Sequence, residues 1–170
     1  MPIRPARDED FDAITAITNH YITTTSIHFA YEPLPVAELR ALWKPRFPWL
    51  VTEENGVVLG YAKAGTWRDR KAYDWTVETG IYLAPDARGK GLGKPLYVAL
   101  LDELTARGFH SVVAGITLPN DPSIRLHEQL GFTACGVVQE AGWKLGAWHA
   151  VGFWQKFLRA AGSSPPAATL

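Results

Sequence analysis

Cysteine and methionine are each represented once in the 170 residues, by Cys135 and Met1. A lone cysteine excludes an internal disulfide and a multi-cysteine metal centre, and it reads as a small core residue in a reducing compartment. Excess charge is also lacking. Seventeen basic residues balance seventeen acidic ones, and no basic run interleaves with aromatics, so the composition gives no reason to expect nucleic acid or a membrane surface as partner. His20 and His149 have no acidic residue at metal-ligand spacing, so no metal is expected. No stretch approaches the roughly 18 consecutive apolar residues of a membrane span. The opening MPIRPARDED lacks the apolar core of a secretory leader, which makes the cytoplasm the expected location. No internal repeat is visible.

What is present suits a single domain over residues 1–160, with 47% of the chain hydrophobic and 20% charged. Residues 161–170 are rich in Ser, Pro and Ala and are expected to form a disordered tail. The most organised stretch is TVETGIYLAPDARGKGLGKPLYVALLDEL, from Thr76 to Leu104. An apolar strand enters a turn made of Arg88, Gly89, Lys90, Gly91, Leu92 and Gly93, and a helix leaves it with Leu92, Leu96, Leu100 and Leu104 at i, i+4 spacing. Three glycines permit positive φ and close approach of backbone N–H groups to an anion. The helix start adds about half a positive charge, and Arg88 and Lys90 add whole ones. This is the pattern of a diphosphate cradle, although an ordinary strand-to-helix loop has the same outline.

The rest of the chain falls around that unit. Asp8 is placed to cap a helix bearing Phe11, Ile14, Ile17 and Tyr21 on one face. Residues 26–35 read as a loop. A second helix is expected from Pro35, with Val36, Leu39, Leu42, Trp43 and Phe47 as its apolar face and Pro48 as its end. Asn55-Gly56 between two β-rich runs predicts a hairpin. Gly80, inside the strand ending at Leu83, suggests a bulge or a close backbone approach. Ser111 to Ile116 returns as a parallel strand. A helix capped by Asp121, with Pro122 in its first position, follows, and strands from Phe132 to Val138 and from Trp148 to Phe157 are separated by a loop over residues 142–146. The fold class is α+β, with the alternative of α/β: a mainly antiparallel sheet, helices on both faces and a central parallel strand–helix–strand unit.

RGKGLG between a strand and an amphipathic helix, followed by a strand and an Asn-opened helix ending in LGF, resembles the GNAT superfamily of acetyl-CoA-dependent N-acetyltransferases. Asn19 to Ile22, Ala72 to Trp75, LPNDPSIRLHEQLGF and AGWKLGAWHAVGFWQ narrow the likeness to the phosphinothricin N-acetyltransferase group. The resemblance implies direct acetyl transfer from acetyl-CoA to the α-amine of a small amino acid such as phosphinothricin, methionine sulfoximine or methionine sulfone. Other amines (aminoglycoside, polyamine, protein N-terminus) are the alternative acceptors, and a non-catalytic acetyl-CoA sensor is the alternative of a different class. The resemblance also places a catalytic Glu in the strand, here Glu78. It lies in an otherwise apolar run, where desolvation would raise its pKa towards that of a useful base. The alternative is a carboxylate paired within the sheet.

His127 stands where many members of the superfamily have a tyrosine that protonates the departing thiolate, and its role is open between acid, base and packing residue. Backbone groups of Ile81, Tyr82 and Leu83 are expected to meet the pantetheine arm like an added strand, with an oxyanion donor near Ile81 or Tyr82. Asn120 is either a contact to that arm or a helix cap. Arg68, Arg70 and Tyr73 are candidates for holding an anionic acceptor and Phe29 for walling it, while ordinary solvated loop residues give the same sequence. The related enzymes often pair, and the aromatic terminal strands suit a homodimer.

Overall fold

The computed structural model describes residues 1–166. A seven-stranded sheet carries strands in the order β1 (Ile3–Pro5), β2 (Trp49–Glu54), β3 (Val57–Thr66), β4 (Thr76–Leu83), β5 (Ser111–Thr117), β7 (Ala147–Phe157) and β6 (Thr133–Lys144). Every neighbouring pair is antiparallel except β4 with β5. Helices α1 (Phe11–Thr24) and α2 (Val36–Ala41) cover one face, where Phe11, Ile14, Leu39, Trp49, Val51 and Tyr61 pack together. Helix α3 (Gly93–Ala106) and the short α4 (Asp121–Gln129) lie against the other face. There Leu96, Leu100 and Leu104 are fully buried against Val77, Val112 and Ala114. Each such leucine contributes about 1.5–3 kcal/mol of apolar burial, which is why the i, i+4 stripe holds α3 on the sheet. Among the described residues no helix is long and apolar enough to cross a membrane.

The β2–β3 turn has Asn55 at φ 51° and Gly56 at φ 79°, the two positive values of a hairpin turn that matches strand twist. Several local expectations are corrected. Asp8 opens a 3-10 turn over Asp8–Asp10, and it is Asp10 that accepts the Arg7 N–H at 2.7 Å. Helix α2 stops at Ala41, with Pro35 outside it as N-cap; Trp43 and Phe47 reach the core from the following turns instead. Asn120, not Asp121, caps α4 by accepting the Ser123 N–H at 3.3 Å, which puts Pro122 in its second position. Residues 142–144 belong to β6, which pairs Trp143 with Trp148 and Lys144 with Ala147, so the loop reduces to Leu145 at φ 52° and Gly146 at φ 75°. Cys135 is exposed, because β6 is the outer edge of the sheet and almost all of it is open to solvent. Gly80 pairs regularly with Lys63, so there is no bulge at that position.

Of the expected tail, residues 161–162 form a turn and a Cβ on Gly108 would meet Pro166; residues 167–170 lie outside the described residues.

Candidate active site

Strands β4 and β5 run side by side only from Thr76↔Ser111 to Glu78↔Val113. Beyond that point β4 stays with β3 and β5 with β7, so the middle of the sheet opens into a V. From Thr79 onward β4 has a strand partner on one side only, and its backbone groups directed away from β3 face the gap. A cavity of about 250 Å³ fills the V, lined by Thr79 to Leu83 on one wall and Gly115 to Thr117 on the other. Arg88, Gly89, Gly93, Asn120 and His127 complete it. A second cavity of about 470 Å³ is lined by Trp49, Lys63 and Glu78 and shares Thr79, Gly80, Tyr82 and Gly115 with the first. The two spaces therefore meet at the point where β4 and β5 part.

The glycine turn is built as an open cradle. Gly89 and Gly91 sit at φ 74° and 75°, and a Cβ on either would meet nothing within 4 Å; conformation, not crowding, requires glycine there. Arg88, Lys90 and Gly91 are exposed, while Leu92 turns inward to start the buried stripe. Arg88, Gly89 and Gly93 line the cavity, and Lys90, Gly91 and Leu92 lie outside its wall. The N–H groups at the start of α3, two cations and an unfilled glycine turn fit the diphosphate of acetyl-CoA. The one-sided stretch of β4 through Ile81, Tyr82 and Leu83 fits an amide-rich arm. Tyr21 anchors the end of that stretch by donating its hydroxyl to the Leu83 carbonyl at 2.6 Å.

Glu78 faces the second cavity. Although solvent reaches it there, loss of hydration raises its pKa, and Lys63 and then Arg68 oppose that rise. Lys63 is half-buried, and burial lowers its pKa against the opposing pull of Glu78. Tyr82 is pushed up to about 12, by burial first and by Glu78 second.

His127 is 3% exposed and ends a chain of hydroxyls. Its Nδ1 lies 2.7 Å from the Ser123 carbonyl oxygen, which can only accept, so Nδ1 carries the proton. Nε2 then accepts from the Tyr97 hydroxyl at 3.1 Å, and Tyr97 accepts in turn from Thr79 Oγ1 at 2.7 Å. Burial lowers the His127 pKa, opposed by the Ser123 carbonyl, so the imidazole is held neutral in this tautomer. Thr79 lines both cavities and carries the chain to the junction.

The expected acceptor residues are more dispersed. Arg68 is exposed, with its guanidinium carbon 5.1 Å from the Trp67 ring centre, while Arg70 and Tyr73 are exposed around the 3-10 turn Lys71–Tyr73. None of the three lines either cavity. Phe29 lies against β6, where a Cβ on Gly142 would come within 2.4 Å of its ring. Its loop is fastened from below by the buried Lys144, which donates to the carbonyls of Ile22 at 2.6 Å and His28 at 2.5 Å.

Sequence reasoning missed Lys63, Tyr97, Thr79 and Trp49. Tyr97 and Trp49 are indistinguishable from core residues in the sequence. Lys63 did leave a signal, as the one charged residue in the run VVLGYAKAGT.

A mixed sheet opened between its two parallel strands, with a glycine cradle at one end of the gap and a carboxylate at the other, defines an acyl-CoA-dependent transferase. The sequence profile of the acetyltransferase (GNAT) family matches residues 14–132. The phosphinothricin N-acetyltransferase of Streptomyces viridochromogenes is 51% identical over 160 residues, covering 92% of this chain and 87% of that protein. The L-methionine sulfoximine/L-methionine sulfone acetyltransferase of Salmonella typhimurium is 41% identical over 159 residues, covering 91% and 93%. The crystal structure of a GNAT superfamily phosphinothricin acetyltransferase from Sinorhizobium meliloti, in complex with acetyl-CoA, superposes with a TM-score of 0.92 at 34% identity, covering 97% of this chain and 92% of that one. The chain belongs to the GNAT acetyltransferase family and is an acetyl-CoA-dependent N-acetyltransferase.

Proposed function

We propose that the protein acetylates the α-amine of a small amino acid of the phosphinothricin, methionine sulfoximine or methionine sulfone type, by direct transfer within a ternary complex. The observation that carries this reading is the junction of the two cavities, with Glu78 in the wall of the second. The names of the Streptomyces and Salmonella relatives support the acceptor class.

Acetyl-CoA, when bound, supplies an activated acetyl thioester. Arg88 and the turn from Gly89 to Gly93 hold the diphosphate end, Lys90 adds long-range attraction, and β4 from Ile81 to Leu83 aligns the arm. Asn120 borders the arm while its Oδ1 caps α4. On the acceptor side Glu78 takes the proton from the ammonium group, directly or through one water, since only the neutral amine is nucleophilic. A raised pKa suits that task, because a stronger base accepts the proton more readily. His127 fixes Tyr97 and Thr79 and can hold or pass a proton along that line. Arg68 and Arg70 act as a basic rim that attracts anionic acceptors, Tyr73 adds a hydroxyl beside them, and Phe29 walls the loop side. Cys135, exposed on β6 and donating to the Phe153 carbonyl at 3.4 Å, takes no part.

We place this activity in a single domain over residues 1–160, in the cytoplasm, and in a homodimer formed through the β6–β7 hairpin.

The test measures free thiol released from acetyl-CoA with phosphinothricin, methionine sulfoximine, methionine sulfone and the common amino acids. Turnover is expected with the first three, and Glu78→Gln should lower kcat by about 100-fold or more while the dissociation constant for acetyl-CoA stays within about twofold. Equal turnover by Glu78→Gln removes Glu78 as the base. Binding of acetyl-CoA without turnover of any amine supports the sensor instead.

A further inference from the structure

Lys63 sits in the middle strand of a cross-sheet row, paired with Trp49 on β2 and with Gly80 on β4. Gly80 has no side chain to lay over it: a Cβ there would come to 3.8 Å from Lys63 Cε. Lys63 thus opens into the acceptor cavity, beside Glu78. Its Nζ lies 5.1 Å from the Trp49 ring centre, a cation–π contact. Among the described residues it forms no salt bridge and no side-chain hydrogen bond, and Glu78 acts on it only through space.

Two other cations withdrawn from solvent, Arg4 and Lys144, are matched, whereas Lys156, on the far strand β7, is partly buried without a salt bridge among the described residues. Arg4 holds Asp10 at 2.7 Å and Glu53 at 2.6 Å, and Lys144 is spent on two carbonyls. A half-buried ammonium with an aromatic ring behind it and no hydrogen-bond acceptor in front recovers through the cation–π contact only part of the hydration it has lost. An oxyanion arriving with the substrate would complete its coordination.

Resting on the acetyl-transfer reading above, we propose that Lys63 is the specificity residue of the acceptor cavity, binding an oxyanion of the amino acid whose amine is presented to Glu78. Lys63 and Glu78 are diagonal neighbours on adjacent strands, because Lys63 faces Gly80 while Glu78 faces Gly65. Diagonal positions are about 7–8 Å apart at the backbone, a span that one small amino acid bridges. Its amine meets the carboxylate, and a carboxylate or phosphinate meets the ammonium. The oxyanion is either the α-carboxylate common to all amino acids or the acid of the side chain.

Three acceptors separate these sources. Phosphinothricin carries both oxyanions, methionine sulfone carries only the α-carboxylate, and methionine sulfone amide carries neither. Lys63→Met, of similar length and without charge, is compared with wild type and Lys63→Arg by steady-state kinetics at saturating acetyl-CoA. The expected result is a rise in KM of about tenfold or more with kcat little changed, the size of one lost hydrogen bond between charged groups. That rise confined to phosphinothricin assigns Lys63 to the side-chain acid. A rise shared by phosphinothricin and methionine sulfone, and absent for the amide, assigns it to the α-carboxylate.

Lys63→Arg restores most of the loss in either case. Equal KM for all three acceptors in the Lys63→Met protein and wild type overturns the proposal, as does an equal rise for all three. So does an unchanged KM with an acidic limb moved to higher pH for every acceptor, which would make Lys63 only a tuner of Glu78. An inactive wild type that still binds acetyl-CoA overturns the acetyl-transfer reading and this one with it, whereas turnover without the KM pattern overturns this one alone.

Discussion

Glu78 and Lys63 share a cavity without touching, and each is shifted towards its neutral form by burial while each holds the other back from that shift. His127 is shifted too, but for a different reason and with a different consequence. Its folded pKa lies below the ordinary 6.5 because the imidazole is enclosed. Below pH 6.5 the unfolded chain binds the proton first, so the stability this group contributes is complete above that value and is lost as pH falls through the folded pKa. Protonation also removes the lone pair on Nε2 that accepts from Tyr97. Urea unfolding at about pH 7.5 and about pH 5 should therefore show a larger acid loss for wild type than for His127→Gln, whose amide does not titrate. Equal losses would mean that other groups set the acid limit.

At this scale the sequence singled out Glu78 and His127 as candidates but hid their surroundings. The Thr79–Tyr97–His127 line joins β4, α3 and α4, and no spacing within one element announces it.

The element that governs the site is the glycine turn between β4 and α3. Gly91 has a left-handed backbone with open space around it, so Gly91→Ala should destabilise the fold by about 1 kcal/mol through backbone strain alone. The same substitution should weaken acetyl-CoA binding by disturbing the N–H groups of the turn. Thermal unfolding and equilibrium binding check both, and a wild-type melting temperature with unaltered affinity would show that the turn tolerates an L-residue. This element was the most legible in the chain, since leucines at i, i+4 spacing and glycines ahead of them act locally.

Other elements were decided by tertiary contacts. Helix α2 ends after six residues although its apolar spacing continues. The apolar residues beyond it are used by turns, and hydrophobic spacing does not distinguish the two. The closing hairpin tightens onto Leu145-Gly146 because strand pairing is favourable enough to place a leucine at φ 52°. A leucine at that position is no turn signal.

For the whole molecule, the β6–β7 hairpin forms the outer limit of the sheet and exposes Val137, Val138, Trp143 and Trp148, each about half open to solvent. Such a surface on an edge strand is costly unless covered. The proposed homodimer predicts twice the subunit mass in sedimentation equilibrium, and Val138→Glu should shift it towards one subunit by placing a charge in the contact. A single subunit mass for wild type would remove the pairing. The overall architecture was legible as a mixed sheet with helices on both faces, because the hairpin signal and the strand–helix–strand period are written locally. The parting of β4 from β5 was not, since how many rungs a parallel pair forms depends on strands distant in sequence and leaves no local signal.

That parting has a consequence for how such a protein can change. On the reading proposed above, the donor space is walled by the starts of α3 and α4, and the acceptor space by β2, β3 and the turn before them; Thr79, Gly80, Tyr82 and Gly115 are the common border. A new acceptor can thus be accommodated by exchanging Lys63 and its neighbours while the machinery that handles acetyl-CoA stays as it is. The molecule is divided, along one seam in its sheet, into a constant half and a half free to be retargeted.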